Sequence, residues 1–155
     1  MIMVSACLFG VNCKYNGKNN YNPRLCRALQ GQEILLFCPE QAGELPAPRP
    51  PAEIQGGDGQ AVLKGEARVV NKNGEDLTRC FIKGAEEIIR LAKEFKPGLV
   101  ILKSRSPSCG VGQVYDGSFS SHLRAGDGVA SALLRKLGIP VMSDEEFMGR
   151  RDLNQ

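Results

Sequence analysis

The sequence is poor in several features that would indicate common classes of function. It has no tryptophan, a single histidine (His122, in a polar loop typical of the surface) and only 6% aromatic residues. Its longest aliphatic run, Leu99–Leu102, is far shorter than the roughly 20 apolar residues that cross a bilayer. The net charge is only +3, well short of the basic surface of a dedicated nucleic-acid binder. We therefore expect no membrane span, and nucleic acid is not the default partner.

Nucleotide-binding signatures are also missing. The glycines at positions 126 and 128 do not form a dinucleotide fingerprint, and no G-x-x-x-x-G-K phosphate loop occurs. A nucleotide cofactor is therefore not indicated.

The six cysteines include no C-x-x-C pair, the usual mark of a zinc or iron–sulfur site built on a local hairpin. The N-terminus lacks the basic region and long apolar region of a secretory signal peptide, so we expect a cytoplasmic protein. Thiols stay reduced in that compartment. Metal binding or thiolate chemistry therefore explains the cysteines better than disulfides.

The length of 155 residues, with 42% hydrophobic residues, is typical of one globular domain with a sizeable core. We place that domain at residues 1–148 and expect residues 149–155 to form a polar, frayed tail.

Short apolar runs alternate with helical patterns along the chain. The runs at 2–7, 34–37, 99–102 and 139–142 predict buried strands, with a weak strand at 68–70. Helices are predicted from Pro23, from a cap at Asp76 or Thr78 to Pro97, from a cap at Asp127 to Gly138, and as a turn capped by Ser143. Residues 41–65, rich in proline and glycine, predict a functional loop or lid. This alternation predicts a three-layer α/β sandwich with a mostly parallel, Rossmann-like sheet.

Three cysteines follow predicted strands directly or in the next loop: Cys7, Cys38 and Cys109. Ligands of such sheets bind outside the carboxyl ends of the strands, so the topology places these thiols along one edge. Three soft ligands without an obvious fourth suit a metal centre with one open position, and thiolates select zinc, copper(I) or iron–sulfur clusters. Three buried structural thiols are the alternative. Cys26 and Cys80 are expected to pack as small hydrophobic residues. A packing role is also favoured for Cys13, and its alternative is a place at the site as a substitute ligand or a nearby thiol.

Six short motifs occur in order along the chain: SACLFGVNC at 5–13, CPE at 38–40, PRPPAEI at 48–54, SPSCG at 106–110, YDG at 115–117 and GDGV at 126–129. Together they resemble the thiouracil desulfidase (TudS-like) family, long catalogued as a domain of unknown function. The resemblance runs from about residue 4 to residue 142.

The resemblance implies a [4Fe–4S] cluster bound by Cys7, Cys38 and Cys109, with one open iron site. Such a cluster would take sulfur from a thiolated pyrimidine without net redox change. The resemblance also implies catalytic roles for Glu40 and Ser106. Ser108 is the less favoured serine, assigned to substrate binding. Because the net charge is modest, we expect a free thiolated base or nucleoside as substrate rather than polymeric nucleic acid.

Several alternatives remain open at this level. Three cysteines and a water also suit a zinc-dependent hydrolase of a pyrimidine-like ring. A non-catalytic metal-binding or nucleotide-binding module is a third interpretation. Glu40 can simply stabilise a helix N-terminus. Arg49 either lies over the site in a lid or anchors its loop to an acidic neighbour such as Glu53.

Overall fold

A computed structural model describes residues 1–154 of the chain and contains eight strands there. The strands are β1 (Ile2–Ser5), β2 (Ile34–Phe37), β3 (Ala52–Gln55), β4 (Arg68–Asn71), β5 (Leu99–Leu102), β6 (Gln113–Tyr115), β7 (Leu123–Ala125) and β8 (Val141–Ser143). Four of them form a parallel sheet in the order β2-β1-β5-β8, in which Val4 pairs with Leu36 on one side and Ile101 on the other. The predicted parallel α/β sheet is confirmed.

Six α-helices pack around the strands in the described residues. They are α1 (Pro23–Ala28), α2 (Pro39–Ala42), α3 (Gly59–Leu63), α4 (Thr78–Phe95), α5 (Val129–Lys136) and α6 (Asp144–Leu153). One face of the sheet packs Met3 and Val100 against Ile88 of α4 and Leu134 of α5. The other face packs Val4 and Ile101 against α1 and α6. Side chains on a strand point alternately to opposite faces, so both faces of the central strands β1 and β5 are buried and three layers result.

The long helix α4 follows its sequence pattern closely. Phe81, Ala85, Ile88 and Ala92 recur at helical spacing, and all four are buried. The predicted cap at Asp76 or Thr78 was wrong, because Leu77 occupies the capping position and makes no side-chain bond. The Asp76 carboxylate instead accepts a hydrogen bond from the amide of Thr78, the first residue of the helix. The helix ends at a left-handed residue directly before Pro97.

The interpretation of residues 41–65 as a loop was wrong in part. This stretch contains β3, which pairs antiparallel with β4 so that Ile54 lies opposite Val69. It also contains α3, whose N-terminus is capped by the Asp58 carboxylate. Prolines precede the four-residue strand and glycines follow it, and it is stabilised by a distant partner, so local composition gave no strand signal.

The predicted frayed tail was also wrong for residues 149–153, because α6 continues to Leu153. Ser143 caps its N-terminus by accepting a hydrogen bond from the amide of Glu146, as expected. An ion pair of 2.8 Å between Arg24 and Asp152 attaches its last turn to α1. Gln155, the last residue of the predicted tail, lies outside the described residues.

None of the helices within residues 1–154 is long and apolar enough to cross a membrane.

Candidate active site

Cys7, Cys38 and Cys109 all line one cavity of about 440 Å³. Their strands are neighbours in the sheet, in the order β2-β1-β5. Cys38 directly follows β2, Cys7 lies in a 3-10 turn after β1, and Cys109 lies in the long loop after β5. Parallel strands present their carboxyl ends at one edge, so the strand order brings Cys7, Cys38 and the start of the Cys109 loop to the same side of the sheet.

Cys38 directly precedes α2, and α2 rests directly on α4. The two segments approach each other at two glycines, each of which lies against a backbone carbonyl of the other segment. A Cβ atom at Gly84 would lie 1.9 Å from the carbonyl oxygen of Pro39, and a Cβ atom at Gly43 would lie 2.1 Å from the carbonyl oxygen of Cys80. Real Cβ atoms do not approach other atoms so closely. Because Gly43 and Gly84 have no Cβ atom, α2 can approach α4 closely. This close approach determines how far Cys38 and Glu40 lie from α4.

Cys109 is held by the N-terminus of α5. The carbonyl oxygens of Pro107 and Ser108 accept hydrogen bonds from the amides of Val129 and Ala130, and the Ser131 hydroxyl donates to the carbonyl of Cys109 at 2.8 Å. The first amides of a helix usually donate hydrogen bonds to the side chain of a capping residue. In α5 the loop carbonyls accept these hydrogen bonds instead. The prediction that Asp127 caps α5 is therefore wrong. Its carboxylate instead accepts from the amide of Gly112 and from Arg135.

Each of the three thiols has its own hydrogen-bond donors. Asn20 Nδ2 lies 3.4 Å from Cys7 Sγ, and Ser5 Oγ lies 3.5 Å from Cys109 Sγ. Hydrogen bonding from the Cys13 thiol lowers the pKa of Cys7 to about 7 and lowers the pKa of Cys38, to which backbone amides also contribute. Burial raises the pKa of Cys109 to about 12.

Cys13 belongs to this cluster, the alternative that the sequence left open beside the favoured packing role. It is 2% exposed, and its thiol is hydrogen-bonded to those of both Cys38 and Cys7, which raises its pKa. The signal that pointed to it was its place in the SACLFGVNC motif, six residues after Cys7. Cys26 lies elsewhere and donates to the carbonyl of Leu8.

The three predicted polar residues Glu40, Ser106 and Ser108 meet at the same cavity. Ser108 Oγ donates to Glu40 Oε2 at 2.8 Å and lies 3.2 Å from Ser106 Oγ. Ser106 Oγ accepts a hydrogen bond of 2.7 Å from the amide of Cys109. Arg49 anchors its segment to Glu40 rather than to Glu53, because its guanidinium binds Glu40 Oε1.

The outer wall of the cavity comes from the hairpin of β6 and β7, which the sequence analysis missed. Tyr115 and Phe119 of this hairpin line the cavity. The carboxylate of Glu53 fastens the hairpin to β3 by accepting hydrogen bonds from the amides of Gly117 at 3.0 Å and Phe119 at 3.2 Å. His122 is exposed and bonds to Ser120, in line with the expected surface position.

The donor set of the cavity is made of soft thiols. Sulfur ligands suit iron–sulfur clusters, zinc and copper(I), and hydrogen bonds to the ligand sulfurs tune a cluster. Three thiols at neighbouring strand ends, each with N–H or O–H donors, therefore fit a cluster. Across residues 1–154, no group of three or more His, Cys, Asp or Glu side chains is placed to hold a single metal ion.

Comparisons with known proteins agree in family and fold. Residues 2–146 match the family model of 2-thiouracil desulfurase. The uncharacterized protein YbbK of Bacillus subtilis (strain 168) is 42% identical over 147 residues, which are 95% of this chain and 97% of that protein. A solved structure described as the [4Fe-4S]-dependent thiouracil desulfidase TudS is 40% identical, with a TM-score of 0.78 over 93% of this chain and 90% of that chain.

Proposed function

The chain belongs to the 2-thiouracil desulfurase family, and from that membership we propose that it is an iron–sulfur-dependent desulfidase of a thiolated pyrimidine base or nucleoside. The reaction converts thiouracil and water to uracil and hydrogen sulfide. Carbon and sulfur keep their oxidation states, so no redox partner is required. The convergence of Cys7, Cys38 and Cys109 on one cavity beside Glu40 carries this proposal.

Cys7, Cys38 and Cys109 are the residues that would hold a [4Fe–4S] cluster and leave one iron without a protein ligand. When bound, this group supplies a Lewis acid for a soft thiocarbonyl sulfur. Two observations support this assignment: all three ligands would be thiols, and the sulfurs of Cys7 and Cys109 accept hydrogen bonds from Asn20 and Ser5.

The polar residues of the cavity handle water and its proton. Glu40 takes a proton from the water that attacks the thiocarbonyl carbon and returns it to the departing sulfur, a contribution of typically about 10²–10⁴ in rate. Ser106 contacts the substrate or relays this proton. Ser108 lies between them, and its assignment to substrate binding stays a prediction.

The size and walls of the cavity favour a small flat substrate. A volume of about 440 Å³ lies within the range typical of small-molecule sites. Tyr115 and Phe119 offer aromatic faces against which a pyrimidine ring can stack. A free base or nucleoside is therefore preferred to polymeric nucleic acid.

The test is anaerobic purification, followed by iron and zinc quantitation and a sulfide-release assay on 2-thiouracil and 4-thiouracil. We expect about four irons per chain and release of sulfide. Stoichiometric zinc without iron would favour the hydrolase instead, and a protein with no turnover would favour a non-catalytic module.

The roles of Glu40 and Ser106 are tested in the same assay. Glu40→Gln and Ser106→Ala should retain the brown cluster and lose most turnover. Arg90→Gln is the control, because Arg90 is an exposed residue of α4 paired with Glu87. Turnover close to wild type in both site variants would remove Glu40 and Ser106 from the mechanism.

A further inference from the structure

We propose that Arg49 is a positioning residue that fixes the carboxylate of Glu40, so that only Oε2 of Glu40 faces Ser108. The inference rests on the proposed function, because it concerns the residue assigned there to proton transfer. From the sequence, Arg49 is interpreted only as part of a lid or as an anchor of its loop, and the comparisons assign it no role.

The guanidinium of Arg49 is almost fully enclosed. Its side chain is 6% exposed, and that of Glu40 is 16% exposed. Nε and Nη2 donate to Glu40 Oε1 at 3.2 and 3.0 Å, Nη2 also donates to the carbonyl of Cys13 at 2.9 Å, and Nη1 donates to that of Pro46 at 3.0 Å. Arginine presents its donors in a rigid planar fork, so these contacts fix its orientation as well as its charge.

This arrangement makes the two oxygens of Glu40 unequal. Oε1 receives two hydrogen bonds from a guanidinium that stays charged at any ordinary pH. Charge-assisted bonds of this kind are about twice as strong as neutral ones, so Oε1 is occupied. Oε2 receives only the hydroxyl of Ser108, at 2.8 Å. Oε2 is therefore the oxygen that the guanidinium leaves free to face Ser108.

In the hydrogen bonds among the hydroxyl groups next to Oε2, the donor and the acceptor can be assigned. Ser108 has one hydrogen to donate, and Glu40 Oε2 at 2.8 Å is a nearer acceptor than Cys109 Sγ at 3.7 Å. In the 3.2 Å contact between the serines, Ser106 must then be the donor. The chain of hydroxyls runs from Ser106, which is partly exposed, through Ser108, which is 1% exposed, to Glu40.

Arg49 thus acts on the reaction through Glu40. If the fork were lost, the carboxylate would be free to rotate and would present either oxygen to Ser108. A misplacement of about 1 Å in a catalytic group can cost on the order of 10²-fold in rate. The effect should fall on kcat rather than on KM, because substrate binding is not the step that changes.

A double-mutant cycle separates this role from a merely structural one. Arg49→Gln, Glu40→Gln and the double variant are compared with wild type for kcat and KM of sulfide release, iron content, cluster absorbance and urea unfolding. Arg49→Gln should lower kcat by about 10²-fold with unchanged iron content and little change in KM. In the Glu40→Gln background the same substitution should lower kcat no further, because the group that Arg49 orients has lost its charge.

Arg49→Lys is the second variant, because it keeps the charge without the fork and should retain part of kcat. It takes the place of Arg49→Gln in the cycle if that protein fails to fold. Arg90→Gln is again the control. Additive losses of kcat, or a raised KM with unchanged kcat, would overturn the role of Arg49 alone. A cluster-loaded wild type that releases no sulfide would overturn the proposed function, and this inference with it.

Discussion

Gly84 should not tolerate a single added methyl group. In Gly84→Ala the new Cβ would lie 1.9 Å from the carbonyl oxygen of Pro39, whereas ordinary contact begins at 3.4 Å. The two backbones must therefore separate by about 3.4 − 1.9 = 1.5 Å. Overpacking costs about 1–3 kcal/mol, and a clash with backbone belongs at the upper end of that range. Alanine is more favourable than glycine within a helix by about 1 kcal/mol. The net loss in the free energy of unfolding is therefore about 2 kcal/mol.

The matched control is Gly149→Ala in α6, where a Cβ atom would meet nothing within 4 Å. That variant should gain up to about 1 kcal/mol. Thermal unfolding followed by circular dichroism should show a midpoint about 4–8 °C lower for Gly84→Ala, since 1 kcal/mol corresponds to about 2–4 °C in a domain of this size. Sulfide release should also fall, because Pro39 lies between Cys38 and Glu40. Equal stability of the two variants would refute the reasoning.

Two further predictions concern the cysteine loops. Ser131→Ala should lower the free energy of unfolding by about 1–3 kcal/mol, because it leaves the buried carbonyl of Cys109 without its 2.8 Å hydrogen bond. Urea titration measures this loss, and an unchanged free energy of unfolding would contradict the role of that bond. In cluster-free protein, iodoacetamide should modify Cys7 before Cys109, because the thiolate is the reactive form and the pKa values are about 7 and about 12. Modification of Cys7 should rise with pH through about 7, as peptide mass mapping can follow, and earlier labelling of Cys109 would contradict this order.

Elements that depend on local pattern were predictable. The central strands are continuous apolar runs too short for helices, and α4 repeats its apolar residues at helical spacing. Run length therefore locates the strands, and hydrophobic periodicity locates the helix. The placement of Cys7, Cys38 and Cys109 at one edge follows from strand order, which the right-handed crossover of parallel strands restricts strongly.

Elements that depend on distant partners were not predictable. β7 has three exposed residues and is a strand only because β6 pairs with it. Glu53 is four residues from Arg49 and Glu40 is nine, yet the ion pair forms with Glu40 because α2 turns that carboxylate toward the cavity. The contacts of Cys13 depend in the same way on how the loop after β1 returns across the site.

The three cysteines at the ends of β2, β1 and β5 are neighbours in the fold but are synthesised at different times. Cys7 and Cys38 are 38 − 7 = 31 residues apart, and Cys109 follows 109 − 38 = 71 residues later, beyond all of α4. A nascent chain that has not yet synthesised β5 presents at most two of the three thiols. The three thiols assigned to the proposed cluster are therefore complete only after translation has passed Cys109, and they come together only once β5 has paired with β1.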